Sequence, residues 1–246
     1  MNPNRNMKLF LTCCVICAGL VSAGGAQKQL ATTVDPKPRE GNWVQRHESF
    51  NERVKKGHVD LLLIGDSITQ GWEGAGKEAW EKYYAKRNAV NLGIGGDRTQ
   101  HVLWRLDHGN IEGIAPKLAV LMIGTNNSNG DDNTPEEIGE GIVAICNGIR
   151  TKCPKTKILI LAIFPRGPEP FEQREKNEKA SLLASKIADG KMIHYLDINA
   201  KFLTKDGFLS KKVMPDYLHP NEEGYKIWAE AIEPKVAELM GEKPKE

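Results

Sequence analysis

The chain has 246 residues with 34 basic and 32 acidic side chains, a formal net charge of +2. That length suits one α/β domain with short appendages and is ample for a core of its own. Arg5 and Lys8 account for the excess, so the chain beyond residue 26 balances at 32 against 32, and nothing in the charge points to a nucleic-acid partner.

The first segment, Met1 to Ala26, carries Arg5 and Lys8, then an apolar run from Leu9 to Val21, then Ser22, Ala23, Gly24, Gly25 and Ala26. This is the pattern of a cleaved secretory signal peptide, with cleavage after Ala23 or Ala26 fitting equally well. The run is shorter than the roughly 20 residues of a spanning helix, so a secreted or periplasmic location without a stable membrane span is expected. Cys13, Cys14 and Cys17 follow Thr, Cys and Ile, which speaks against lipidation. Residues 27–42 are polar, include Pro36 and Pro38, and read as a solvated linker. A single folded domain is expected over residues 43–246.

From Trp43 onward, short apolar runs alternate with amphipathic stretches. The runs predict strands at Val59 to Ile64, Ala89 to Leu92, Leu118 to Ile123, Lys157 to Ile163 and Met192 to Leu196. Between and after them, helices are predicted near Glu78 to Tyr84, Thr99 to Leu106, Pro135 to Thr151, Glu172 to Ala188 and Glu222 to Met240. Such alternation argues for a parallel sheet covered on both faces. Thr134-Pro135-Glu136-Glu137 is a capping box with proline at the first helical position, and Asp97 with Gln100 is a similar pair. Asn221 should cap the last helix, and Pro234 should kink or restart it. Cys146 and Cys153 are seven positions apart on one helix and its end; two turns separate them by about 10 Å, beyond the roughly 7 Å limit for a disulfide. They read as unpaired core thiols, and neither forms part of a metal-ligand cluster.

In open parallel sheets, ligands bind beyond the carboxyl ends of the strands. Three strands in succession end in polar, glycine-rich turns: Gly65-Asp66-Ser67, Gly93-Ile94-Gly95-Gly96-Asp97 and Gly124-Thr125-Asn126-Asn127. Each has a plain structural alternative. Ser67 could cap a helix, Asn126 and Asn127 could be turn residues, and His219 before Pro220 could be a structural loop histidine. The glycine run follows the second strand and lacks a full G-x-G-x-x-G, which disfavours a dinucleotide site. Taken together with Asp216 and His219, three positions apart, the set fits a serine nucleophile, an imidazole base and a carboxylate that holds the base's tautomer. Thr69 stands where G-x-S-x-G would need its second glycine, so an α/β-hydrolase elbow is disfavoured.

The four ordered blocks Gly65-Asp66-Ser67-Ile68, Gly93 to Asp97, Gly124 to Asn127 and Asp216-Tyr217-Leu218-His219-Pro220 resemble those of the SGNH hydrolases, also called the GDSL esterase/lipase family. Asn91 to Asp97, Gln100 to Leu106, Pro165-Arg166-Gly167 and Arg174 to Asn177 further resemble the catalytic subunits of intracellular platelet-activating factor acetylhydrolase. The resemblance spans roughly Val59 to Leu239. It implies a flavodoxin-like three-layer α/β/α fold with five parallel strands in the order 2-1-3-4-5. It also implies that Ser67 is the nucleophile, His219 the base and Asp216 its orienting carboxylate. The oxyanion donors it implies are the N–H groups of Ser67 and Gly96 and the side-chain amide of Asn126.

Asp66, Gln70, Trp72, Arg98 and Arg166 lie near strand ends or motifs and are candidate substrate-binding residues, Trp72 as a stacking platform for a sugar ring. Trp104 and Arg105 fall inside a predicted helix, where core packing and a surface ion pair are expected. The resemblance suggests short acyl groups, above all acetyl. Its model enzymes are intracellular whereas this chain carries an export-type leader, so acetylated carbohydrate is the expected substrate, without metal or cofactor. Lysophospholipase, platelet-activating-factor-type or thioesterase activity on the same residues, acyl transfer to a sugar, and a non-catalytic glycan-binding module remain as alternatives. A homodimer is compatible with the sequence.

Overall fold

The computed structural model describes residues 31–245, so the leader read over residues 1–26 lies outside it. Its strands are β1 (Leu61–Gly65), β2 (Ala89–Gly93), β3 (Leu118–Met122), β4 (Lys157–Leu161) and β5 (Ile193–Leu196). All neighbouring pairs are parallel, in the order β2-β1-β3-β4-β5, as the resemblance implied. The helices are α1 (Asn42–Lys55), α2 (Ser67–Gln70), α3 (Lys77–Tyr83), α4 (Thr99–Asp107), α5 (Pro135–Lys152), α6 (Glu172–Ser185) and α7 (Glu222–Met240).

Every residue of β1 and β3 is buried. A central parallel strand has both faces covered, which is why these segments read as unbroken apolar runs. Alternate side chains feed two cores. Leu62, Ile64, Leu92, Leu121 and Ile160 join Phe50, Val102, Ile142 and Ala180 from α1, α4, α5 and α6. On the opposite face Leu61, Leu63, Val120 and Leu159 join Ile68, Tyr83 and Trp228 from α2, α3 and α7. The three layers therefore follow directly from strand alternation.

Local signals were reliable where the partner was a few residues away. Thr134 Oγ1 accepts the Glu137 N–H at 3.2 Å and Glu137 returns the contact to the Thr134 N–H at 3.0 Å, closing the capping box at α5. The Asn221 side chain accepts the Gly224 N–H at 3.0 Å. Cys146 and Cys153 are free and buried, and burial pushes the Cys146 thiol up to about 12.

Four expectations need correction, and one helix was missed. The segment read as a solvated linker is, over residues 31–41, laid against the domain: Thr33 is fully buried, its carbonyl accepts the Thr99 hydroxyl, and the Lys37 N–H donates to the Gln100 carbonyl. Helix α1 was not predicted. Its buried face, Trp43, His47, Phe50, Asn51 and Val54, has helical spacing but mixes in two polar residues that the fold satisfies internally. The last helix does not restart at Pro234 but runs through it, and the flanking Ala229, Ile232, Val236 and Ala237 are fully buried. Packing on both sides outweighs one lost backbone hydrogen bond. Finally, Asp97 does not cap α4 and Arg105 makes no surface pair.

Asp97 and Arg105 are both fully buried and joined at 2.9 Å. Trp43 Nε1 donates to Asp97 Oδ1 at 2.7 Å, and Arg105 also reaches Asn110 Oδ1 at 2.8 Å. Asn110 in turn donates to Asn51 on α1 at 2.7 Å. Removing one member of such a pair leaves an uncompensated buried charge. Arg105→Ala is expected to lower unfolding free energy by about 3–5 kcal/mol, read from guanidinium chloride denaturation, whereas Arg98→Ala at the surface should change it by less than about 1 kcal/mol.

Candidate active site

β1 delivers Asp66 and Ser67 to the carboxyl edge of the sheet. Gly65 sits so close to its neighbours that an added Cβ would lie 2.4 Å from the Met122 carbonyl oxygen, so only glycine permits the strand to enter this turn. Asp66 is the helix cap: its Oδ1 accepts the Ile68 N–H at 3.0 Å. Ser67 is thereby released from the capping role that its sequence position allowed. Its Oγ lies 2.9 Å from His219 Nε2.

The imidazole is held by a local turn. Asp216 Oδ1 accepts the backbone N–H groups of Leu218 and His219 at 3.0 and 2.7 Å, and Oδ2 lies 2.7 Å from His219 Nδ1. Tyr217 closes the turn in the left-handed region at φ 59°, a conformation that a side chain resists. Its surroundings impose it: the Tyr217 N–H donates to Met214 and its carbonyl accepts from Gly167. Desolvation is the largest single influence and raises the Asp216 carboxyl, but hydrogen bonds from the His219 side chain, the His219 N–H and the Leu218 N–H together outweigh it and hold the group below its ordinary value. An ionised Asp216 accepts a hydrogen bond from Nδ1–H, leaving Nε2 to accept from Ser67.

The Gly95-Gly96 turn runs beside the serine, with a Cβ on Gly95 falling 3.8 Å from Ser67 Cβ. Gln70 Oε1 accepts the Gly95 N–H at 2.7 Å. Among the described residues the Gly96 N–H donates to no protein group. The Ser67 N–H, at the first position of α2, has no intrahelical acceptor. Asn126, after β3, gives one amide hydrogen to the Asp97 carbonyl at 2.9 Å and keeps the other. These donors suit an anion forming on a carbonyl oxygen. Among the described residues, no group of three or more His, Cys, Asp or Glu side chains could hold a metal ion.

Of the five candidate substrate-binding residues, two are corrected. Asp66 is fully buried beneath Ser67. Trp72 is 1% exposed, with its ring 4.6 Å from Trp228 and 4.7 Å from Tyr225 between centroids, and offers no stacking face. Gln70 is engaged with the glycine turn. Arg98 pairs with Asp132 at 2.6 Å on the surface. Arg166 is half-buried and donates to the Thr125 carbonyl at 3.0 Å and to Asn129 Oδ1 at 3.1 Å, bracing the loop that carries Asn126. Asn127, quoted in the motif without a role, is fully buried: its Oδ1 accepts the Thr99 N–H and its amide donates to Gln100 and Asn133. Sequence reasoning missed Arg39 altogether. It bonds the Gly95 carbonyl at 2.7 Å and Asp97 Oδ1 at 3.2 Å, and no motif surrounds it.

The sequence pattern of the GDSL-like lipase/acylhydrolase family matches residues 63–227. The rat platelet-activating factor acetylhydrolase IB subunit alpha2 is 38% identical over 206 residues, covering 83% of this chain and 87% of that protein. A GDSL-like lipase from Bacteroides thetaiotaomicron shares the fold with a TM-score of 0.60 at 21% identity, over 79% of this chain and 97% of that one. A carbohydrate acetylesterase from Sinorhizobium meliloti does so with a TM-score of 0.55 at 21% identity, over 74% and 99%.

The buried Asp66 carries a pH signature. Burial, reinforced by the charge of Asp97 and opposed by the Ile68 N–H and Arg166, raises its carboxyl from 3.8 to about 7. The fold therefore holds a proton that the unfolded chain releases, and this contribution to stability is lost as pH rises through that window. Asp66→Asn keeps the cap acceptor and cannot ionise. Its melting temperature is expected to gain on wild type from about pH 4 to pH 7 and then level off, as thermal melts across that range would show.

Proposed function

The chain belongs to the GDSL-like lipase/acylhydrolase family, and we propose that within it the protein is a serine esterase that removes short acyl groups, acetyl above all, through an acyl-enzyme on Ser67. The observation that supports this most is the continuous Ser67–His219–Asp216 chain, with contacts of 2.9 and 2.7 Å. His219 Nε2 takes the hydroxyl proton as Ser67 Oγ attacks the ester carbonyl carbon. The Ser67 and Gly96 N–H groups and the Asn126 amide receive the charge on the former carbonyl oxygen. Collapse breaks the bond to the alcohol oxygen, which leaves with the proton from Nε2. A water then gives a proton to Nε2 as it attacks the acyl carbon, and collapse breaks the bond to Ser67 Oγ, which takes the proton back from Nε2 as the acid leaves.

The acetyl preference is supported by the 38%-identical relative, an acetylhydrolase by name. The exposure of the site adds to it: the side chains of His219 and Asp216 are 41% and 57% accessible, which favours a compact acyl group over a buried long-chain channel. For the alcohol we propose acetylated carbohydrate outside the cytoplasm. This rests on the export-type pattern of Arg5 to Ala26, while Trp72 no longer contributes. The same relative supports a second reading, in which the substrate is platelet-activating factor.

Ser67→Ala should lose on the order of a million-fold in kcat on an aryl acetate, and Asn126→Ala about a hundred- to a thousand-fold. Near wild-type hydrolysis by Ser67→Ala would overturn the mechanism. A panel of acetylated xylan, sialic acid esters, aryl esters from acetyl to decanoyl and platelet-activating factor tests the substrate. Equal rates on acetyl and longer esters, with none on acetylated glycans, would refute the carbohydrate reading.

A further inference from the structure

The four residues Ile94 to Asp97 form a β-turn in which the Asp97 N–H donates to the Ile94 carbonyl at 3.1 Å. Gly96, at the third position, has φ +77°, while Gly95 is not among the positive-φ residues. That combination is a type II turn. Types I and II differ by a flip of the central peptide, here Gly95–Gly96, and glycine at both central positions leaves both forms open. The flip matters because the peptide is planar and trans: its carbonyl and N–H point in opposite directions. Whatever holds the Gly95 carbonyl therefore aims the Gly96 N–H.

We infer that Arg39 is the positioning residue that holds this peptide in its type II orientation and so aims the Gly96 N–H at the oxyanion site. This rests on the serine-esterase reading above. Arg39 Nη1 donates to the Gly95 carbonyl at 2.7 Å, and its guanidinium nitrogens lie 3.2 and 3.3 Å from where a Cβ of Gly96 would stand. The neighbouring tethers do not do this work. Gln70 holds the Gly95 N–H, which belongs to the preceding peptide, and the turn's own hydrogen bond engages the Ile94 carbonyl and Asp97 N–H. Among the described residues, Arg39 is the one donor to the Gly95 carbonyl. It is itself aimed by Asp97 Oδ1 at 3.2 Å. A cationic donor on a carbonyl also polarises the peptide and makes its N–H a stronger donor.

Arg39→Ala, Arg39→Lys and Ser67→Ala, assayed together on an aryl acetate with thermal melts, test this. Arg39→Ala is expected to lose about 10- to 100-fold in kcat, part of the loss seen on deleting an oxyanion donor, with KM little changed and a smaller fall in melting temperature than Arg105→Ala, because Arg105 and Trp43 stay on Asp97. Added guanidinium ion should restore part of that loss, and Arg39→Lys should fall between Ala and wild type because an ammonium lacks the planar fork. An inactive Ser67→Ala with wild-type kcat in both Arg39 variants would overturn the role of Arg39 alone. So would a kcat loss that guanidinium does not reverse and that tracks a lowered melting temperature. If Arg39→Ala does not fold, Arg39→Lys carries the same kcat-against-KM test. An active Ser67→Ala would overturn the serine-esterase reading and this inference with it.

Discussion

The carboxylate of Asp97 is the point through which the core and the reaction edge are joined. Its two oxygens are taken by Arg105 from α4, Trp43 from α1 and Arg39 from the segment before it. Its carbonyl receives Asn126 from the turn after β3. Burial of this carboxylate without those donors would be strongly unfavourable. Desolvation still raises its pKa, against the pull of Arg105, Trp43 and Arg39. The need to satisfy one buried charge therefore fixes the mutual placement of two helices, the N-terminal segment and two of the turns that carry candidate oxyanion donors.

The two halves of the site are built differently. The donor half, Ser67, Gly96 and Asn126, sits on strand ends backed by fully buried side chains, where close packing leaves little freedom. The Asp216–His219 half is a surface turn, more exposed and held mainly by its own hydrogen bonds and a left-handed Tyr217. It reaches Ser67 through the His219 imidazole, while Tyr217 and Leu218 pack against the core on the α7 face of the sheet. The strand-end half is thus packed into the domain, while the Asp216 and His219 side chains stay largely accessible.

Much of this was legible in the sequence. The all-buried strands announced themselves as apolar runs, and the caps at Thr134 and Asn221 were readable because each bond closes within three residues. The pairing of Asp216 with His219 was readable for the same reason. Misreadings share a cause as well. Residues 31–41 are polar and proline-containing, yet they dock because Thr99, Gln100 and Gly95 offer complementary groups far along the chain. Trp72 has the composition of a sugar platform but lies under α7. Arg105 was expected at the surface because an arginine in a helix normally is, and only a buried acid elsewhere changes that.

The sequence by itself determined the alternating elements, the layer architecture they force, and the polar turns at three successive strand ends. These depend on periodicity and on contacts between near neighbours. Only the tertiary structure decided that Ser67 meets His219 across 152 positions, that Asp66 and not Ser67 caps the short helix, and that Asp97 gathers Arg39, Trp43 and Arg105. Whether a polar or aromatic side chain is buried, and against what, is set by segments that chain order does not bring together. Packing alone supplies that information.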